Sequence, residues 1–206
     1  MMLLYNKGLL IVISGPSGAG KGTVCKALLK KDENLKLSIS MTTRKPRNGE
    51  VDGENYFFTT VEKFKTLIEN NMLLEWAKVY DNYYGTPKEF VQKNIDEGHD
   101  VILEIDIQGA LKVKDKYPEG VFVFILPPSM EELKNRIKKR GTETEEEILK
   151  RFKSAYEEIN FVSRYNYVVI NDDVDLAVDK ILAIIKAEKC RVDRNKGLYL
   201  EIKERC

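Results

Sequence analysis

The stretch from Gly15 to Thr23, GPSGAGKGT, constrains this chain more than any other because of what flanks it. Ahead of it runs Leu9-Leu10-Ile11-Val12-Ile13, short, continuous, β-branched and ended by Ser-Gly-Pro, the pattern of a strand buried on both faces. Behind it, Val24, Ala27 and Leu28 recur at helical spacing before Lys31. Strand, glycine loop and helix in that order let consecutive backbone N–H groups converge on one anion, with the positive end of the helix dipole beneath it. This is the setting that the phosphate-cradling pattern GxxxxGK(S/T) needs, with Lys21 reaching the β and γ phosphates of a nucleoside triphosphate. A chance lysine on a surface turn would require neither flank. Gly22 stands where the pattern has a hydroxyl, which weakens direct metal ligation but not phosphate binding. Thr23 or Ser17 is placed to orient a water of a Mg²⁺ shell, since this small ion keeps several waters when it rides on phosphates.

Three later runs, Val101 to Ile105, Val121 to Leu126 and Tyr167 to Ile170, read as further buried strands. Helical patterns lie between them, at Met130 to Lys139 and after Thr144, where Thr142 with Glu145 or Thr144 with Glu147 offers a capping box. Asn171-Asp172-Asp173 opens a last helix that runs to about Lys189. Strands alternating with helices predict an α/β fold, a parallel sheet covered on both faces. A length of 206 residues suits one core carrying inserted pieces. Residues 43 to 98 differ in character, turn-rich and polar with interspersed aromatics, and read as an inserted substrate-binding piece with short strands near Tyr56 to Thr59 and Glu75 to Val79. The end of the chain, from Cys190, gives no functional signal.

Composition removes several classes. Lys+Arg number 34 against Asp+Glu 33, so no global field draws in nucleic acid or an anionic membrane, and any anionic ligand must be held by local basic clusters. Cys25, Cys190 and Cys206 are odd in number and far apart, which argues against a disulfide framework or a zinc site and for the cytoplasm. The opening MMLLYNKGLLIVIS is broken by Lys7 and Gly8 and lacks a signal-peptide cleavage pattern. No run approaches the roughly 18 apolar residues of a membrane span. A guanine switch would read its base with NKxD, and both Asn6-Lys7-Gly8-Leu9 and Asn195-Lys196-Gly197-Leu198 lack the aspartate.

The remaining candidates suggest an acceptor site. Arg44 and Arg47, with Tyr56 and Tyr84, supply the guanidinium forks and phenol hydroxyls that a phosphate monoester needs. Glu75 lies in apolar company, LLEWA, where a carboxylate requires a partner. Guanine offers N1–H and the 2-amino group as adjacent donors; adenine offers a lone pair at N1 and no 2-amino group, so a carboxylate there would reject AMP by a factor that can reach about 10⁴. Glu104 and Asp106 are two apart at the end of VILEID, hence expected on one face of a strand beside the ligand crevice, one to hold a metal-bound water and the other the acceptor. Arg136 and Arg140 share a helix face, and Arg151 follows on the next helix; closing over phosphates, they would neutralise charge and exclude water. His99, the only histidine, reads as a surface residue.

In this order, GPSGAGKGT, TTRKPRNGEVDGENYFF, EWAKVYDNYYGT, ILEIDIQGA, PPSMEELKNRIKKRGTETEEEILKR and VINDD resemble the guanylate kinase family over roughly residues 8 to 187. The resemblance implies a P-loop nucleoside triphosphate hydrolase-like core at 1–42, 99–126 and 161–189, a GMP-binding region at 43–98, a helical lid at 127–160 and a tail at 190–206. It implies that Ser40, Glu75, Thr86 and Asp106 hold guanine and that Arg44, Arg47, Tyr56 and Tyr84 hold the GMP phosphate. ATP would lie on Gly15, Pro16, Ser17, Gly18, Ala19, Gly20, Lys21, Gly22 and Thr23, with Arg140 on its phosphates and Asn171 near its base. Lys21, Arg44, Arg136, Arg140 and Arg151 would carry catalysis, with Thr23 and Glu104 on the side of Mg²⁺ through water.

The implied reaction is ATP + GMP ⇌ ADP + GDP, with dGMP as a further acceptor, by direct in-line transfer that needs no protein nucleophile. Gly22-Thr23 departs from the family's commoner Ser-Thr or Ser-Ser and occurs in adenylate kinase, so an AMP kinase is the nearest alternative. A protein-binding module of guanylate-kinase type is the alternative from another class, opposed by Lys21 and the lid arginines. Monomer and homodimer remain open.

Overall fold

Continuous apolar strands need cover on both faces, and helices on either side of one parallel sheet supply it. The computed structural model describes residues 7–79, 81–139, 145–197, 200 and 203. The first half comprises β1 (Leu10–Ser14), α1 (Lys21–Lys31), β2 (Leu35–Leu37), β3 (Met41–Thr42), β4 (Phe57–Phe58), α2 (Val61–Glu69), β5 (Leu73–Val79) and β6 (Asn82–Pro87). Then come α3 (Lys88–Asp96), β7 (Asp100–Glu104), α4 (Ile107–Lys116), β8 (Val121–Leu126), α5 (Met130–Lys139), α6 (Glu145–Ile159), β9 (Tyr167–Ile170) and α7 (Val174–Lys189).

Five strands form an all-parallel sheet in the order β2-β7-β1-β8-β9. Because side chains alternate across a strand, β1 sends Ile11 and Ile13 to one face and Leu10 and Val12 to the other. The first face is covered by α1 and α7 through Val24, Leu28, Val178 and Ile181; the second by α3 and α4 through Val91, Ala110 and Val113. A strand apolar on both faces can only sit in the middle of such a sandwich, and β1 does. This is the P-loop arrangement, with the glycine loop leading from the carboxyl end of the central strand into α1.

A separate four-stranded sheet, ordered β4-β3-β6-β5, carries the aromatic segment. Its β5–β6 hairpin is antiparallel and sets Glu75 opposite Thr86 and Ala77 opposite Tyr84. Phe64 of α2 is buried beneath it and stacks on Tyr83 with ring centroids 5.4 Å apart. Helices α5 and α6 meet through their own small cluster, Leu133, Ile137 and Ala155.

Several expectations shift. The strand expected near Tyr56 to Thr59 is confined to Phe57–Phe58, and α1 begins at Lys21, inside the glycine motif and ahead of the apolar positions that marked the helix, because Gly20 adopts φ 89° and turns the chain straight into it. β7 ends at Glu104, so Asp106 does not share a strand face with it: Asp106 is the N-cap of α4, its Oδ1 accepting from Gly109 N at 2.8 Å. His99 is half-buried, its Nδ1 lying 3.0 Å from Asn34 Oδ1. The proposed capping boxes at Thr142 and Thr144 lie outside the described residues. Sequence patterns also failed to single out β2, β6, α2, α3 and α4 as elements. Among the described residues, no helix is long and apolar enough to cross a membrane, and Cys25 and Cys190 are free thiols.

One buried charge ties distant parts of the core. Asp100 is fully buried; its Oδ1 accepts from Leu9 N at 2.9 Å and its Oδ2 pairs with Lys189 Nζ at 2.5 Å. The contact joins the start of β7, the residue before β1 and the end of α7. Lys189 is half exposed and can turn to water, but the buried Leu9 N–H would lose its acceptor, so Asp100→Ala is expected to cost about 1–3 kcal/mol, read as a fall in Tm in a thermal melt.

Candidate functional site

Beyond the carboxyl ends of β1 and β7, where the strand order reverses, lies an open cleft of about 250 Å³. The glycine loop lines one wall with Ser17, Gly18, Gly20, Lys21 and Gly22; the opposite wall comes from the second sheet and its neighbours, Ser40, Tyr56, Glu75 and Tyr84. Glu104, Ile105 and Asp106, between β7 and α4, form the floor that joins them. Residues far apart in the sequence thus share a single cavity.

The loop is held by its own contacts. Lys21 Nζ donates to Gly15 O at 2.7 Å and Pro16 O at 3.2 Å, folding back across the turn. Asn171, buried after β9, donates its Nδ2 to Ala19 O at 2.8 Å. Gly20 passes so near this amide that a Cβ there would lie 2.4 Å from Asn171 Nδ2, in addition to the strain of its positive φ. Asn171 therefore supports the loop from behind and does not line the cleft. Glu104 closes on Gly22: a Cβ at position 22 would lie 3.4 and 3.5 Å from its carboxylate oxygens. Thr23 is exposed on α1 and does not line the cleft.

Helix α6 reaches the same loop. Arg151 Nη2 donates to Ser17 Oγ at 2.6 Å, and Ser17 N donates to Glu158 Oε2 at 3.3 Å, so one serine receives both side chains. Burial pushes the Glu158 carboxyl above its usual range, against the pull of Lys21, the Ser17 N–H and Arg151. Sequence reading missed Glu158, although its place seven residues after Arg151 puts both on one helix face. Arg136 is half-buried near Gly20, its Nε on Glu132 Oε1 at 2.8 Å. Arg140 lies outside the described residues.

On the wall of the second sheet, Arg44 pairs with Glu50 at 2.9 Å and stands 5.5 Å from the Tyr56 ring centroid. Arg47 is exposed; its backbone N–H, not its guanidinium, binds Glu50 at 2.7 Å. Burial, and after it the charge of Glu104, push the Tyr56 hydroxyl up to about 12, so it remains a proton donor at neutral pH. Tyr56 and Tyr84 meet edge to face at 6.0 Å. Glu75 is 4% exposed and its Oε1 accepts from the fully buried Thr86 Oγ1 at 2.7 Å. Burial pushes the Glu75 carboxyl up to about 7; Asp106 adds to the rise, while the Thr86 hydrogen bond, Lys112 and Lys116 oppose it.

Among the described residues there is no cluster of three or more His, Cys, Asp or Glu able to hold a metal by itself. The donor set fits a cation that arrives on phosphates and keeps its waters, with Glu104 beside the loop as the nearby carboxylate. Because the Asn171 amide is the buried partner of a loop carbonyl, Asn171→Ala is expected to lower stability by about 1–3 kcal/mol, read as a fall in Tm.

A family model described as Guanylate kinase matches residues 7–188. A curated guanylate kinase of Caldanaerobacter subterraneus subsp. tengcongensis is 77% identical over 203 residues, covering 98% of each chain. One from Clostridium perfringens is 67% identical over 199 residues, covering 97% of this chain and 92% of that one. The crystal structure of guanylate kinase from Anaplasma phagocytophilum superposes with a TM-score of 0.83 at 36% identity, over 99% of this chain and 98% of that chain. All three of these likenesses run past Cys190, into the tail that the sequence motifs had left out. With its glycine loop, its second sheet across the cleft and matches of this extent, the chain belongs to the guanylate kinase family, the kinases that use ATP to phosphorylate GMP to GDP.

Proposed function

We propose that this transfer takes place inside the cleft, with the triphosphate of ATP on the glycine loop and GMP on the second sheet. The observation that carries the reading is the joint lining of one cavity by Lys21 and by Glu75, Tyr56 and Tyr84. Transfer between two phosphates needs no protein nucleophile, because the GMP phosphate oxygen is already charged; alignment and charge neutralisation are what the protein must provide. Lys21, Arg136, Arg140 and Arg151 neutralise the phosphoryl group in flight, and the loop N–H groups hold the donor. Arg44 and Arg47 hold the GMP phosphate, with Tyr56 and Tyr84 donating to its oxygens. Glu104 would hold Mg²⁺ through water, and the ion would supply neutralisation of charge on the donor phosphates. We assign the reaction to the cytoplasm, whose reducing conditions suit the free thiols of Cys25 and Cys190.

Base choice falls to Glu75, Thr86, Ser40 and Asp106. Thr86 occupies Glu75 Oε1 from one side, and Asp106 keeps Oδ2 while its Oδ1 caps α4. An ionised Glu75 matches the N1–H and 2-amino donors of guanine; adenine would leave a buried charge unpaired.

A coupled ADP-release assay with ATP and Mg²⁺ is expected to give turnover with GMP and little with AMP, UMP or dTMP. Lys21→Met should abolish it, and Glu75→Gln should raise KM for GMP and narrow the preference over AMP. Turnover equal for AMP and GMP would overturn the base-reading roles. Because the Glu75 carboxyl lies up at about 7, it ionises as pH climbs from about 6 to 8. Affinity for guanosine, which has no titrating phosphate, should therefore strengthen across that window by calorimetry and become flat in Glu75→Gln.

A further inference from the structure

Glycine is the poorest helix former after proline, yet Gly109 stands in the first turn of α4. Backbone freedom does not account for it, since Gly109 is absent from the glycines with positive φ. Its N–H donates to the Asp106 cap, as any residue's would. What distinguishes the position is the space in front of it. A Cβ there would lie 2.7 Å from Glu75 Oε2 and 3.2 Å from Glu75 Cδ, whereas its next neighbour, Ile105 Cδ1, stands at an ordinary 3.5 Å. The Glu75 carboxylate fills the volume of the missing methyl.

The approach is held from both sides. Lys112 Nζ donates to Trp76 O at 2.6 Å and Lys116 Nζ to Leu74 O at 2.9 Å, the carbonyls flanking Glu75. Positions 109, 112 and 116 share one face of α4, so the helix that touches the carboxylate also clamps the strand that carries it. Across the cleft wall, Thr86 Oγ1 holds Glu75 Oε1. A carboxylate pinned between β6 and α4 cannot retreat from a new methyl without leaving its place.

We propose that Gly109 is a positioning residue for base recognition: by presenting no side chain where α4 meets β5, it sets where the Glu75 carboxylate stands and so favours a 2-amino-6-oxopurine over a 6-aminopurine. The inference rests on Glu75 being the base-reading group.

The test is a cycle of four full-length proteins: the parent, Gly109→Ala, Glu75→Ala and the double variant, each measured for KM, kcat and Tm. Gly109→Ala is expected to raise KM for GMP about tenfold or more, since a displacement near 1 Å can cost on the order of 10²-fold, with KM for ATP unchanged. In the Glu75→Ala background it should add less than about twofold, because the atoms it displaces are gone. Its Tm effect should also change sign, from a loss in the parent to none or a gain in Glu75→Ala, where helix propensity acts alone. An unchanged KM for GMP in Gly109→Ala, losses that multiply, or an equal Tm drop in both backgrounds would overturn the role of Gly109. A Glu75→Ala variant with unaltered KM for GMP would remove the base-reading role of Glu75, and the positioning role with it.

Discussion

The turn between β1 and α1 must bring several backbone N–H groups to bear on one point, and the remaining architecture is arranged around keeping that turn rigid. Lys21 ties it across to Gly15 and Pro16, Asn171 braces Ala19 from below, and Ser17 is gripped by Arg151 and Glu158 from α6. None of these bonds would hold a loop on a soft support. The support is β1, whose residues from Ile11 to Ser14 are fully buried with helices packed on both faces. Because interiors are close-packed, the strand transmits position to the loop with little give.

The wall built from the second sheet solves a different problem, that of placing a carboxylate where water is scarce. Burying Glu75 costs the charged form its hydration, which is why its carboxyl rises to about 7. One oxygen is bonded by Thr86, and Lys112 and Lys116 lie close enough to moderate the cost. The same helix that brings these lysines is capped by Asp106, two residues after the strand end at Glu104. α4 is therefore the joint between the two halves of the cleft, and a change in how it packs would be felt at both.

Helices α5 and α6 stand apart energetically. Their shared cluster of Leu133, Ile137 and Ala155 is separate from both clusters that flank the main sheet. Elements with a small core of their own open at lower cost than those built into the central one, which would suit the lid that the family motifs imply at 127–160. Its polar attachment to the loop is Ser17, a residue that also lines the cleft.

The glycine loop, Lys21 and the strands β1, β7, β8 and β9 were legible in the sequence because each is a local pattern: an unbroken apolar run, a glycine spacing, a helical repeat. The apolar run misled on burial at β9, which is an edge strand with Val168 and Ile170 exposed, since a short apolar run does not record whether a strand is covered on both faces. The family motifs were legible too, and several of the residues they carry, Lys21, Tyr56, Glu75 and Glu104 among them, line the one cleft. Asp106 was placed on the wrong element because a spacing of two says nothing about where a strand stops; the cap on Gly109 stops it. Glu158 escaped because a glutamate on a charged helix carries no mark of what it will face. Gly109 stood among the motifs without a role, and the bond from the Asn171 amide to Ala19 could not be read from the motif VINDD. The sequence by itself determined the kind of loop, the parallel strands and the chemistry available. Only the tertiary structure decided which carboxylates and amides meet the loop and which glycine makes room for Glu75, because those contacts join residues remote in the chain, and no local periodicity records them.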